Sequence, residues 1–189
     1  AATTTVTNPL AISLAAETIR LVHQWLPAVL DNPADLKARH QLCYAAMQAG
    51  VAFDNGLLHF THALEHPLSA VSPDLSHGLG LAVLLPAVIL ECYPACPDVL
   101  AHILAPMAPG LKGLPEEAPK AAKAVEQWLA SVGVPQKLED IGVTAQDIEK
   151  FCDLVEQTPS LGLLISVAPV EGTRERVARI YTNSLKPLA

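Results

Sequence analysis

Apolar positions along the chain recur every three or four residues, which is the period of an amphipathic α-helix. The first such run spans residues 10–30 and carries Leu14, Ile19 and Leu26 among its apolar positions. The strict alternation of apolar and polar residues that is typical of β-strands is weak everywhere in the sequence. The pattern therefore predicts an all-α fold, a helical bundle.

Capping residues and prolines divide this pattern into about eight helices. Asn8-Pro9 and Asn32-Pro33 each place a capping side chain before a proline at the first helical position. Residues 144–147 resemble a capping box that opens another helix. The predicted helices cover residues 9–30, 33–50, 57–68, 76–92, 97–103, 116–132, 144–156 and 173–185, with a bend between Gly50 and Gly56 and an irregular stretch at 157–170.

The composition indicates a chain that covers a large apolar surface. Its 189 residues suffice for one domain with its own core, and 51% of them are apolar although only 4% are aromatic. We expect this surface to contact another domain or subunit, and we expect a homo-oligomer. The longest apolar run, residues 79–90, is shorter than the roughly 20 residues needed to cross a bilayer, so it predicts a buried helix.

The charge of the chain excludes some classes of partner, and its cysteines indicate the cellular compartment. The net charge is −7 and no cluster of Lys or Arg occurs, which argues against nucleic acid and anionic membranes as partners. The four cysteines are scattered without a CxxC pair, and no signal peptide is recognisable. We therefore expect reduced thiols and a cytoplasmic protein.

Candidate chemistry is concentrated in one stretch, because four of the seven histidines fall between His59 and His77. On a helical wheel, His59, His62 and His66 lie within a sector of about 60°, and His62 and His66 are one turn apart. His77 follows a turn and stands at the start of the next helix, beside Gly78. Neutral imidazoles with this spacing suit Fe, Zn, Ni or Cu.

Spacing alone leaves two interpretations of these histidines open. Three imidazoles from two helices could bind a metal, but no acidic residue is obviously placed as a fourth ligand. Glu65 lies about 100° from His66 on the wheel and is expected to face elsewhere. The alternative is a set of polar histidines on a half-exposed helix face or at a subunit contact.

Several segments read together as one pattern. They are Gly50–Asn55, His62–Ala70, His77-Gly78 and Ala82–Pro86. This combination resembles the signature of the iron-containing (group III) alcohol dehydrogenases. Residues 133–148 and the final predicted helix are also similar to that family, so the resemblance covers essentially the whole chain.

The resemblance implies a function and a role for particular residues. In that family an N-terminal Rossmann-like half binds NAD(P), and a C-terminal helical half carries Fe²⁺ or sometimes Zn²⁺ on one Asp and three His. Two of these ligands match His62 and His77, and the Asp and the other His belong to a helix upstream of residue 1. His66 matches a non-ligand histidine implicated in proton handling, and Phe53 and Leu58 match positions that line the alcohol pocket. The implied reaction is hydride transfer between an alcohol or aldehyde and NAD(P).

The chain departs from the family pattern at three points. The turn from His66 to His77 is one residue longer than expected, and Ser76 stands where a proline is usual. Ala168-Pro169-Val170 replaces Asn-Pro-Arg. The nucleotide-binding half and two metal ligands are absent from the sequence. We therefore expect residues 1–189 to form a single helical domain, a fragment of a longer two-domain enzyme, that is inactive alone, binds metal weakly and does not bind NAD(P)H.

Two other functions remain open from the sequence. One is a stand-alone, non-catalytic helical module. The other is the helical half of a zinc enzyme related to glycerol dehydrogenase or dehydroquinate synthase.

Overall fold

The computed structural model describes residues 1–188, and over this range the chain is 72% helical and contains no strand. The all-α prediction is therefore confirmed. Nine α-helices occur among these residues: α1 Pro9–Asp31, α2 Leu36–Gly56, α3 Phe60–Val71, α4 His77–Cys92, α5 Pro97–Leu104, α6 Ala118–Ser131, α7 Ile148–Gln157, α8 Pro159–Ser166 and α9 Arg174–Ser184. Short 3₁₀ turns precede α5, α6 and α7.

Side-chain caps set the helix starts. Asn8 accepts a hydrogen bond from the Ala11 amide at 2.9 Å, which begins α1 at Pro9 as predicted. The start of α2 was predicted three residues too early, because Asp35 rather than Asn32 provides its cap. The Asp35 side chain accepts from the Ala38 amide at 3.0 Å.

The expected bend between Gly50 and Gly56 is not present, because α2 runs through both glycines. The chain turns instead at Leu57, the only non-glycine residue with positive φ (56°) among residues 1–188. Its ψ of −174° lies in a region that is rarely occupied by residues other than glycine. This strained turn directs Leu58 and His59 into position just before α3.

The prediction that residues 157–170 are irregular is wrong for half of that stretch, where α8 forms. Pro159 occupies the first helical turn, a position that requires no amide donor. Leu161 is buried and Ile165 packs against the core, so tertiary contacts stabilise a helix that Gly162 weakens locally.

The buried residues form two cores with α4 between them. The first core is built mainly from α3, α4, α7 and α9, and the second from α4, α5 and α6 with partly buried residues of α1. Val83, Leu84, Ala87, Val88 and Cys92 of α4 belong to the first core, and Ile89 belongs to the second. The segment His77–Ala95 is apolar and long enough to span a membrane by composition, but half of it is buried in the fold, as predicted for a core helix.

Two buried polar contacts attach helices to neighbouring segments. Tyr181 of α9 donates its hydroxyl to the Leu64 carbonyl of α3 at 2.7 Å, and burial raises the pKa of that hydroxyl well above its usual value. Glu126 of α6 pairs with Lys137 at 2.5 Å, and both side chains are about nine-tenths buried. These contacts fix α9 on α3 and the segment around Lys137 on α6.

Candidate metal-binding site

The histidines are brought together by the N-terminal ends of two helices, α3 and α4. His62 lies in the first turn of α3, and His77 is the first residue of α4. Ser76, which replaces the proline of the family pattern, caps α4 by accepting from the Leu79 amide at 3.4 Å. The substitution of Ser76 therefore retains a defined helix start at His77.

His77 stands between His62 and His66. The ring centroids of His62 and His77 are 5.4 Å apart, and those of His66 and His77 are 5.9 Å apart. His62 is half-buried, whereas His66 is exposed and the His77 side chain is 51% exposed. Three imidazoles thus lie close together at the surface, and the proximity of His62 and His66 follows from their helical spacing.

His59 does not join this group, although the helical wheel placed it in the same sector. It precedes α3 as the N-cap residue, with φ −135° and ψ −138°, so the helical periodicity does not apply to it. Its ring is 8% exposed, and Nε2 shares a 2.8 Å hydrogen bond with Thr3 Oγ1. Nδ1 is buried without a partner, and burial lowers the pKa of His59 to about 3.

Glu65 is the residue beside the histidines whose position the helical wheel does not predict. It was expected to face away from the histidines, yet it is fully buried and its carboxylate hydrogen-bonds to Nδ1 of His77 and to the Ser69 hydroxyl. The wheel describes a single helix, whereas this contact depends on how α4 packs against α3. The available signals were Ser69, four residues after Glu65, and Gly80, which interrupts the apolar run of α4.

The electrostatic environment keeps His62 neutral at ordinary pH. Burial and, to a lesser extent, the neighbouring imidazoles of His77 and His66 together lower its pKa to about 4. A neutral imidazole presents a lone pair, which is the form that binds metal ions. His62 is therefore in the right protonation state for a ligand.

The two residues predicted to line a substrate pocket lie in different places. Leu58 lines a mainly apolar cavity of about 330 Å³, together with His59, Thr61 and side chains of α1, α4, α5 and α6. Phe53 is 48% exposed on α2 and does not line this cavity. Of these two residues, Leu58 alone lines the cavity.

The donor set fits half of a transition-metal site. No group of three His, Cys, Asp or Glu side chains is placed to hold a metal among residues 1–188. His62 and His77 nevertheless present the ligand type that Fe²⁺ and Zn²⁺ accept. The Glu65 contact to His77 Nδ1 is the arrangement by which carboxylates orient metal-binding histidines.

Comparison with known proteins identifies relatives over nearly the whole of this chain. The family profile described as Fe-containing alcohol dehydrogenase family, C-terminal, matches residues 2–185. A long-chain primary alcohol dehydrogenase (AdhA) of Thermoanaerobacter ethanolicus is 53% identical over 184 residues, which cover 97% of this chain and 46% of that protein. The 1,3-propanediol dehydrogenase of Klebsiella pneumoniae is 33% identical, with 94% of this chain and 45% of that protein covered.

Solved structures of similar proteins share the fold. An alcohol dehydrogenase from Oenococcus oeni superimposes with a TM-score of 0.86 at 28% identity, over 97% of this chain and 47% of that one. A 1,3-propanediol oxidoreductase gives 0.83 at 30% identity, over 95% and 46%. The chain spans less than half the length of these relatives. It belongs to the iron-containing alcohol dehydrogenase family and corresponds to the C-terminal half of its members.

Proposed function

We propose that this chain is the metal-binding half of an NAD(P)-dependent, metal-dependent alcohol dehydrogenase. The observation that carries the proposal is the pairing of His62 and His77 at 5.4 Å, within a chain that matches the family over residues 2–185. His62 and His77 would supply two ligands to Fe²⁺ or Zn²⁺, and an Asp and a further His outside these 189 residues would complete the site.

The remaining histidine of the group suits a role in proton handling. His66 is exposed, its ring lies 5.9 Å from that of His77, and its ring nitrogens make no hydrogen bond to another described residue. It is therefore free to accept the proton of a substrate hydroxyl and to pass it to solvent. When bound, the metal would act as a Lewis acid on the substrate oxygen and NAD(P) would carry the hydride.

We propose primary alcohols and the corresponding aldehydes as the substrate class. The proposal is supported by 53% identity to a protein named for long-chain primary alcohols. Within this chain, Leu58 contributes apolar surface to the 330 Å³ cavity, and Phe53 would contribute from the exposed surface of α2. Relative rates on a series of straight-chain alcohols, measured with NAD⁺ and with NADP⁺, would define chain-length and cofactor preference.

Metal content of purified variants of the full-length protein tests the proposal most directly. His62→Ala and His77→Ala should each lose stoichiometric metal and activity. His66→Ala should retain the metal and lose part of the turnover. His40→Ala, an exposed histidine on α2, is the matched control and should behave as wild type. Unchanged metal content in both His62→Ala and His77→Ala would refute the assignment.

The 189-residue chain by itself should be a poor metal-binding protein. Two imidazoles lack the anionic ligand and half of the four-ligand set that the family resemblance implies. We expect no submicromolar Fe²⁺ affinity and no saturable NAD(P)H binding in equilibrium titrations of these residues alone. Tight, stoichiometric Fe²⁺ binding by this chain would contradict the proposed division of the site.

We also propose that the protein is a homo-oligomer. Tyr44, Met47 and Val51 form an exposed apolar stripe on α2, and contiguous apolar surface of this kind marks interaction sites. Light scattering of the full-length protein would give the oligomeric state. Met47→Lys should shift it toward the monomer if this stripe is the contact.

A cytoplasmic location completes the proposal. All four cysteines are free thiols, as expected in a reducing compartment. Fractionation of cells that express the untagged full-length protein would test this assignment.

A further inference from the structure

Glu65 is an unusual buried charge. Its side chain has no exposed surface, and among residues 1–188 its ion-pair partner is His77, with no Lys or Arg in contact. The Ser69 hydroxyl donates to Oε1 while Nδ1 of His77 lies against Oε2, so both carboxylate oxygens are engaged. An apolar residue would pack at this position between α3 and α4 at lower desolvation cost. The structure thus retains a carboxylate where burial alone would not require one.

The backbone of α4 is shaped to admit this carboxylate. Gly80 faces Glu65, and a Cβ atom built on Gly80 would lie 2.8 Å from both Cγ and Oε1. No such contact exists at Gly78, two residues earlier, where an added Cβ would meet nothing within 4 Å. The close approach between α3 and α4 therefore occurs at Gly80 and not at Gly78. A glycine at the point of contact indicates that the Glu65–His77 pair is a built feature of the helix packing.

We propose that Glu65 is a positioning residue that prepares His77 for metal binding, an inference that rests on the proposed role of His77 as a ligand. An ionised carboxylate only accepts hydrogen bonds, so Nδ1 of His77 must carry the proton. The lone pair of the imidazole then resides on Nε2, the nitrogen that Glu65 does not engage. The same contact fixes the rotation of the ring about its side-chain bonds.

A merely structural role for Glu65, as a contact that holds α3 on α4, makes a different prediction. Such a contact contributes to the stability of the metal-free protein and leaves the intrinsic affinity for the metal unchanged. A positioning residue contributes to the affinity itself, because its loss frees the ring and allows the wrong tautomer. Glu91 offers the matched control, since it joins α4 to Arg176 and Arg179 of α9 at 3.1 Å and 2.9 Å, outside the histidine group.

The test is the Zn²⁺ affinity of metal-free full-length protein, measured by competition with a chromophoric chelator, alongside thermal unfolding of the same samples. Glu65→Leu should weaken Zn²⁺ binding by about 10- to 100-fold, the range typical for loss of an outer partner of a ligating histidine. Glu65→Gln, whose amide oxygen can still accept from Nδ1, should recover most of that loss. Glu91→Gln should lower the unfolding temperature and leave the affinity at the wild-type value.

The outcomes separate this inference from the function on which it rests. If His77→Ala binds Zn²⁺ as tightly as wild type, His77 is not a ligand, and both the proposed site and the role of Glu65 fail. If His77→Ala weakens binding but Glu65→Leu only lowers the unfolding temperature, the site stands and Glu65 is a structural contact. If Glu65→Leu does not fold, Glu65→Asp replaces it, because the shorter carboxylate cannot reach His77 from the same backbone. Wild-type Zn²⁺ affinity of Glu65→Asp would overturn the inference.

Discussion

Replacing Gly80 by alanine should destabilise the protein, although the same change in an exposed helix stabilises it. Gly80 lies in the interior of α4, where alanine is favoured over glycine by about 1 kcal/mol in intrinsic helix propensity. At this position, however, the new Cβ would lie 2.8 Å from Cγ and Oε1 of Glu65. The outcome depends on whether Glu65 can move away.

The surroundings of Glu65 leave it little room to move. It is fully buried, and both of its oxygens are engaged by Ser69 and His77. Overpacking of a core position costs about 1–3 kcal/mol. Loss of a hydrogen bond to a charged group costs a further ~1.5–3 kcal/mol if Glu65 releases His77. After the gain in helix propensity, we expect Gly80→Ala to lower the free energy of unfolding by about 1.5–5 kcal/mol.

Gly50→Ala is the matched control for this prediction. Gly50 is exposed in the interior of α2, and an added Cβ there would meet nothing within 4 Å. The control should therefore gain up to about 1 kcal/mol. Urea titrations followed by circular dichroism give both values on one scale. Equal stability of Gly80→Ala and Gly50→Ala would refute the claim that α4 is shaped around Glu65.

Three further predictions concern other contacts. Burial lowers the pKa of His59 from 6.5 to about 3. Between these two pH values the unfolded state therefore binds a proton at His59 that the folded state does not. The free energy of unfolding should fall as the pH drops from 6.5 to about 3, by up to ~1.4 kcal/mol per pH unit. His59→Gln should flatten the slope of stability against pH in urea titrations, and an unchanged slope would show that His59 is not the group responsible. Tyr181→Phe should lose the hydrogen bond to the Leu64 carbonyl and about 1 kcal/mol in the same assay, and wild-type stability would argue against that bond. Lys137→Met should leave Glu126 as a nearly buried carboxylate without its nearest cation and cost about 3 kcal/mol, whereas Lys137→Met combined with Glu126→Leu should recover most of the loss.

The fold was predictable because its signals are local. Asn8-Pro9 and the reciprocal contact of Thr144 with Asp147 mark helix starts by hydrogen bonds within four residues, and the structure contains both. The missed helix α8 has the opposite character. Its sequence contains Gly162, which weakens a helix locally, and its stability comes from the burial of Leu161. Tertiary contacts of this kind cannot be inferred from the spacing of apolar residues within one segment.

In the candidate site, too, positions that depend on local spacing were predictable and positions that depend on tertiary contacts were not. His62 and His66 share one helix, so their proximity follows from helical periodicity, and His77 was assigned by resemblance. Glu65 was misplaced because the wheel treats the side away from the histidines as solvent, whereas α4 covers that side of α3. His59 was misplaced because the helix was predicted to begin at residue 57, and the turn at Leu57 delays it to Phe60. The packing of α4 against α3 thus explains the error at Glu65, and the later helix start explains the error at His59.

The position of α4 between the two cores links any event at its first residue to the whole domain. Because α4 contributes side chains to both cores, neither core can separate from it without exposing the other, and we expect a single cooperative unfolding transition. A metal bound at His77 would then protect the backbone amides of α5 and α6 from hydrogen exchange as effectively as those of α3, although α5 and α6 do not touch the site. The gain in protection would follow the logarithm of the free metal concentration. Occupancy of the proposed metal site would thus raise the stability of the whole domain.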